Sequence, residues 1–226
     1  MNEPKPDGRP ARRGRPRDPR RGRAILEAAR AVLAERGFTG ASMEAIAQTA
    51  GVGKDTLYRR WDSKEQLVQH LLTVLADEGI PQRPPDDDPR AGLFLFLQDI
   101  VRLNTESDFG AIVAGVVGES ARNPELASGF HAFWVDRRRF ACEYVRGIVG
   151  VDASAHKIER IVDQVVGPIY YRLLLSGDTI TNEYLWELVM SIPSSDDDSP
   201  RPTIKARYPQ SSLPSNFSIS QPERHP

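Results

Sequence analysis

Apolar residues along this chain return every three or four positions, and no segment alternates with the period of two that a half-buried strand needs. Ile25, Ala28, Ala29, Val32 and Leu33 fall at i, i+3, i+4, i+7 and i+8, which places them on one face of a helix. Asp18 and Pro19 supply its N-cap and first-turn proline, and Gly37 its stop. Ser42 caps a short second helix with Met43, Ile46, Ala47 and Ala50 on its apolar side. Gly51 interrupts, and a third short helix runs from about Lys54 to Trp61. Ser63 with Gln66 forms a capping box for a fourth, which carries Leu67, Val68, Leu71, Leu72 and Leu75. The stretch 80–90, rich in proline and aspartate, is a surface connection. Beyond it the spacing predicts helices near 90–105, 109–121, 124–149, 154–176 and 182–192. The fold class is all-α.

Within this series, residues 42–61 (SMEAIAQTAGVGKDTLYRRW) are the most informative. Ala47 and Gly51 stand four apart. Two short helices that cross steeply need a small residue where their backbones approach, and a glycine where the turn goes left-handed. Ile46, Ala50, Val52 and Leu57 provide apolar positions around that crossing. This is the helix-turn-helix pattern, and its second helix presents Lys54, Asp55, Thr56, Tyr58, Arg59 and Arg60 outward. A helical hairpin with a purely structural role has the same spacing.

Charge bears on that choice. The formal net charge of the 226 residues is −1, yet residues 12–23 hold seven arginines and one acid. Through Lys64 there are 15 Lys and Arg against 8 Asp and Glu; the remainder has 15 against 23. A basic end on an acidic body suits a polyanion at that end. RGRP at 13–16 resembles the core of an AT-hook, so Arg13 and Arg15 either follow a narrow A·T minor groove or attract phosphate without base preference. Residues 1–17 read as a disordered basic arm. Residues 193–226, with seven prolines and eight serines, read as an unfolded tail.

Residues 23–71, above all AGVGKDTLYRRWDSKEQLV (50–68), resemble the DNA-binding domain of the TetR/AcrR family of transcriptional regulators. NPELASGF (123–130) and GPIYYRLLLSG (167–177) resemble the C-terminal domain of one subgroup of that family. The resemblance implies a three-helix helix-turn-helix domain over 18–64, followed by a larger helical ligand-binding and dimerisation domain over 65–192. It makes 54–60 the recognition helix, with Thr56 and Tyr58 on phosphate or base edges and Ser42 on the DNA backbone. Lys64 would add a phosphate contact at a helix N-terminus, where the dipole favours one. Leu57 and Trp61 would be core. Two positions depart from the family pattern. Gly53 lacks the hydroxyl frequent there. Asp55 faces phosphate unfavourably unless it accepts from a cytosine amino group or caps the helix locally.

The same resemblance implies that the last two helices pair with their copies in a homodimer. Ile158, Ile161, Val165, Ile169, Leu173, Tyr184 and Leu188 are the candidate interface, although so wide an apolar stripe is also what a deep core looks like. Pro168 removes an amide from that stripe and is expected to bend its helix. Phe94, Leu97, Val101, Ile112, Val116, Phe130, Phe133, Trp134 and Tyr171 are candidates to line a small-molecule effector pocket, each of them equally a plain core position. Arg137, Arg138 and Arg139 either orient an anionic effector or sit exposed on a long helix.

Enzymatic chemistry finds no support. The four histidines are scattered, without metal-ligand spacing or a nucleophile beside a base, and no metal or cofactor is expected. Cys142 is the only cysteine, which excludes an intrachain disulfide and fits a reducing cytoplasm. No apolar run reaches the roughly 18 residues of a membrane span, and none follows the paired arginines as a secretory signal requires. The expected function is a ligand-responsive regulator, a repressor by the resemblance, that binds a palindromic operator on double-stranded DNA. Two alternatives stay open at this point: an architectural DNA binder acting through its arm, and a helical scaffold at a membrane surface.

Overall fold

Nine α-helices carry the chain through the residues that the computed structural model describes, 19–81 and 88–193. They are α1 (Pro19–Gly40), α2 (Met43–Thr49), α3 (Lys54–Tyr58), α4 (Lys64–Gly79), α5 (Pro89–Thr105), α6 (Phe109–Ser120), α7 (Pro124–Val149), α8 (Ala155–Tyr171) and α9 (Asn182–Met190). No strand occurs among the described residues. The hydrophobic periods place these elements within a few residues of where they form. Asp18, read as the N-cap of α1, lies outside the described residues, as do the arm, most of the 80–90 connection and nearly all of the tail.

Local chemistry sets the boundaries. Ser42, Ser63, Asp88, Asn123, Ser154 and Thr181 each accept a hydrogen bond from a first-turn amide of the following helix. Each such cap stabilises its helix by about 1 kcal/mol. The box at the start of α4 closes one residue early, since Gln66 Oε1 accepts from the Asp62 amide at 3.1 Å. Gly37 breaks α1 with a φ of 66°, a left-handed conformation that leaves one further turn beyond it.

Two hydrophobic clusters fill the interior. In the first, Ile25, Val32, Ile46, Leu57, Leu67 and Leu71 from the first four helices meet Ile112 and Val116 of α6 and Leu126 and Phe133 of α7. The second joins α5, the C-terminal half of α7, α8 and α9 through Leu93, Leu97, Val145, Ile161, Ile169 and Leu185. Helix α7 belongs to both and acts as their common beam. Helix α4 shares its core with α1–α3 and with α6 and α7.

Polar ties reinforce the packing. Arg30 of α1 meets Asp108 at 2.8 Å, and Thr39 donates to Glu119 at 3.2 Å, both joining α1 to α6. Arg90 donates to the carbonyls of Val189 and Ile192 and so closes α9 against the start of α5. The expected 154–176 helix has two parts. Four residues after Pro168, the chain widens into a π-helical turn, Arg172–Ser176, ending at Gly177 with φ 71°. Arg172 then lies 3.6 Å from the Tyr184 ring centre and donates to the Thr179 carbonyl.

Gly110 enters α6 so close to α5 that a Cβ there would collide with the Asn104 carbonyl. Gly110→Ala is expected to lower the unfolding free energy by about 1–3 kcal/mol. Gly118→Ala, on an exposed part of α6 with open space beside it, should raise it by about 0.5–1 kcal/mol. Denaturant titration of the two variants reads the opposite signs.

Candidate nucleic-acid interface and internal cavity

Five residues are too few for a helix to hold itself, so α3 is fixed by its neighbours. The turn before it uses Gly51, at φ 65°, and closes with Val52 donating to the Ala47 carbonyl at 3.0 Å. Behind α3, Leu57 is fully buried and Trp61 is 5% exposed. The indole N–H of Trp61 donates to His70 Nδ1 of α4 at 3.0 Å. With its back pinned this way, α3 turns Lys54, Asp55, Tyr58 and Arg59 to the surface, and Tyr58 is 46% exposed. Thr56 is half-buried and accepts from Arg59 at 3.2 Å.

The remaining candidates fall out unevenly. Ser42 caps α2 by accepting from the Ala45 amide at 3.1 Å, and its hydroxyl also bonds the Glu44 carboxylate. Lys54 pairs with Glu44 of α2 at 2.6 Å, and this contact holds the Glu44 carboxyl below the usual carboxylate range. Gly53 gives α3 no side-chain cap, and Asp55 makes no capping bond either, so the local role considered for Asp55 is not formed. Arg60 departs from expectation: its guanidinium lies against Gly22 of α1. Lys64 departs further. Its ammonium donates to the carbonyls of Phe38 at 2.7 Å and Ala41 at 3.0 Å, and sits 4.0 Å from the Phe38 ring centre. It ties the end of α1 to the start of α4, where the carbonyls left over beyond Gly37 need a donor. Arg13 and Arg15 lie outside the described residues.

A cavity of 220 Å³ opens between α4, α5, α6, α7 and α8. Of the nine pocket candidates, Phe133 and Trp134 line it. Phe130 supports these two, stacked on Phe133 at 6.2 Å and edge-on to Trp134 at 5.7 Å. Phe94 packs instead on Trp186 of α9 at 5.2 Å. Leu97, Ile112 and Val116 are buried core, and Val101 packs against the second cluster. Tyr171 points outward, 58% exposed, while its neighbour Tyr170 takes the wall position. One residue on a helix rotates the side chain by about 100°, which is enough to exchange cavity for solvent.

Reading residue by residue missed Phe96, Phe109, Phe140, Tyr144 and Tyr170 in the wall, and left Arg137 between a pocket role and an exposed one. Phe133, Arg137, Phe140 and Tyr144 stand at i, i+4, i+7 and i+11, one stripe of α7. That spacing was the available signal, hidden because Arg137 reads as a member of an exposed arginine run. Its side chain is 13% exposed and donates to Asp77 of α4 at 2.7 Å and to Asp136 at 3.2 Å. Burial pushes the Tyr170 hydroxyl well above the usual tyrosine range, so it stays neutral.

The interface candidates divide as well. Ile158, Ile161, Val165 and Ile169 are buried in the second cluster of their own chain, so the stripe on α8 is core and not a free face. Leu173, Tyr184 and Leu188 are half-buried. The large apolar residues left on the surface of this region are Tyr171, Leu175, Trp186 and Met190.

Residues 25–71 match the family model for bacterial regulatory proteins of the tetR family, and residues 83–192 match the tetracyclin repressor-like C-terminal domain. The chain belongs to the TetR family. It is a helix-turn-helix transcriptional regulator and not an enzyme. Among its relatives, the HTH-type transcriptional regulator YdeS of Bacillus subtilis strain 168 is 29% identical over 80% of this chain and 92% of its own length. UidR of Escherichia coli K12 is 34% identical over 46% of this chain and 54% of its own. The crystal structure of the TetR-family regulator SCO0332 superposes with a TM-score of 0.60 at 25% identity, covering 75% of this chain and 94% of that one. The flavonoid-responsive regulator FrrA shares the fold at a TM-score of 0.59, with 23% identity over 76% and 93%. No described helix is long and apolar enough to cross a membrane.

The structural role of Lys64 has a measurable consequence. Lys64→Met is expected to lower the unfolding free energy by about 1–3 kcal/mol, because two carbonyls lose a charged donor. It should leave the salt dependence of DNA binding within about one-third of a unit of the wild-type slope, whereas loss of a phosphate contact shifts that slope by about 1. Thermal melting and a salt titration of binding read the two effects separately.

Proposed function

We propose that this TetR-family regulator is a cytoplasmic repressor that binds a palindromic operator as a homodimer and leaves it when a small-molecule effector fills the cavity. The observation that carries the reading is the course of α4. It starts at Ser63 and Lys64, directly after the anchored end of the recognition helix, and ends with Ala76 in the cavity wall and Asp77 paired to Arg137. One rigid rod thus touches both places where the proposed ligands bind.

Two recognition helices separated by about 34 Å straddle one face of a duplex, which is why a two-fold dimer suits a palindrome. An effector wedged against α7 and the end of α4 favours a different tilt of α4, hence a different spacing of the two α3 helices. DNA then weakens effector binding by the same factor. Thr56, Tyr58, Lys54 and Arg59 contact the duplex, with Ser42 on its backbone. Lys54 first leaves Glu44, a small cost for an exposed pair. Asp55 accepts from a cytosine amino group, and Arg13 and Arg15 hold the adjacent minor groove or its phosphates.

The dimer forms through the outward surface of α8, the π-helical turn and α9, where Tyr171, Leu175, Trp186 and Met190 are exposed. Gly167 supports this placing: nothing stands near its Cβ direction, so a partner helix can approach the backbone closely there.

Tyr58→Ala is expected to weaken operator binding by about tenfold to a hundredfold, on the order of 1–3 kcal/mol for a lost specific contact, with unchanged melting. Binding equal to wild type in a mobility-shift titration contradicts the proposed role of α3. Asp55→Ala should relax preference at one base pair; uniformly tighter binding to every sequence removes the cytosine role. Leu175→Glu combined with Tyr171→Glu should give monomers at micromolar concentration by sedimentation, and a dimer that persists places the interface elsewhere.

A further inference from the structure

The hydrogen bond that fastens α3 to α4 sets a condition on the proton state of its acceptor. Trp61 lies just past the end of α3, and the amides of Arg60 and Trp61 both donate to the Leu57 carbonyl, at 2.8 and 3.0 Å. A displacement of Trp61 therefore carries α3 with it. The indole is 5% exposed, its ring centre stands 5.7 Å from that of His70, and its N–H donates to His70 Nδ1 at 3.0 Å. An indole nitrogen only donates, so the facing imidazole nitrogen has to accept, which it does only in the uncharged ring. Protonation at Nδ1 sets one N–H against another and takes the bond away.

His70 is exposed on α4, within reach of solvent protons, and imidazole is the side chain that changes charge near neutral pH. The charged groups on the elements around it are Arg60 and Asp62 beside Trp61, Glu65, Asp77 and Glu78 on α4, Arg20, Arg21, Arg23 and Glu27 on the first half of α1, and Glu125 at the start of α7. Glu65 is held by Asn123, Asp77 by Arg137, Glu78 by Arg23 and Glu125 by Ser63, while Arg60 lies against Gly22. Among the described residues no carboxylate is paired with the ring, so nothing in place offsets the bond a charged imidazole gives up. His131 and His156 are also exposed, but neither makes a hydrogen bond among the described residues; His70 is the histidine joined to the reading helix.

We propose that, with α3 as the DNA-contacting helix of the proposed function, His70 positions it through Trp61, so that the neutral ring latches α3 to α4 and the protonated ring releases it. Operator affinity is then full while the ring is neutral and is lost on acidification. A net hydrogen bond changes an equilibrium by about threefold to tenfold, and two latches act in each homodimer, so the expected loss is about tenfold or more.

The test uses the full chain, isotope-labelled at its tryptophans, and the duplex it selects from a random pool. Between about pH 8 and about pH 5.5, the span over which an imidazole charges, the Trp61 indole N–H resonance, assigned by its loss in Trp61→Phe, is expected to move with the His70 ring signals. Over the same span, mobility-shift titration should show wild-type affinity falling about tenfold further than that of His70→Asn, whose side-chain oxygen takes the place of Nδ1 and accepts without titrating. His70→Asn should match wild type at about pH 8, and His70→Leu, which has no acceptor, should bind about tenfold more weakly there with little further change on acidification. A wild-type profile that parallels His70→Asn, a His70→Leu chain that binds as tightly as wild type at about pH 8, or a Trp61 signal that stays fixed while His70 titrates overturns the inference. A Trp61 signal that moves in a chain that selects no duplex overturns the DNA reading of α3 itself, and the latch on operator affinity with it.

Discussion

A helix of five residues has no stability of its own, and every functional feature of this regulator follows from what holds α3 in place. Leu57 and Trp61 bury its back, and the indole hydrogen bond to His70 fastens its end to α4. Once these are fixed, Lys54, Asp55, Tyr58 and Arg59 have nowhere to point but outward. The reading face is therefore a by-product of core packing. Its orientation is inherited from α4.

That dependence makes α4 the element to which the rest of the molecule speaks. Its first turn is bound by Lys64 to the end of α1, and Ser63 and Glu65 reach Glu125 and Asn123 at the start of α7. Its far end meets Arg137, also on α7, beside the cavity. Helix α7 thus grips α4 at both ends while its own C-terminal half sits in the second core with α5, α8 and α9. A shift of α7 against α4 has to be shared between the polar contacts at these two ends, because the apolar packing between them tolerates little change in volume.

Much of this was legible in the sequence, and the failures share a cause. Hydrophobic period and caps placed the helices, since both are local: Ser63, Asn123 and Pro124 mark starts whatever packs above them. Direction around a helix was harder. Tyr170 and Tyr171 differ by one position and lie on opposite sides of the wall, and Ile158 to Ile169, open to reading as a subunit interface or as deep core, are covered by their own chain. An apolar stripe tells that something packs against it, not which molecule. Lys64, Arg90 and Arg137 were missed as structural cations, because the partners through which each ties two helices together are carbonyls or an acid 23 to 102 residues away, beyond any local pattern.

The central claim is that an outward α3, one per subunit, reads a duplex in two symmetric places. Selection of bound DNA from a pool of random duplexes by the full chain tests it most directly. The account predicts an enriched inverted repeat whose half-sites are centred about one helical turn, ~34 Å, apart. A pool that returns no common sequence, or only a single A·T tract without a symmetric mate, contradicts it.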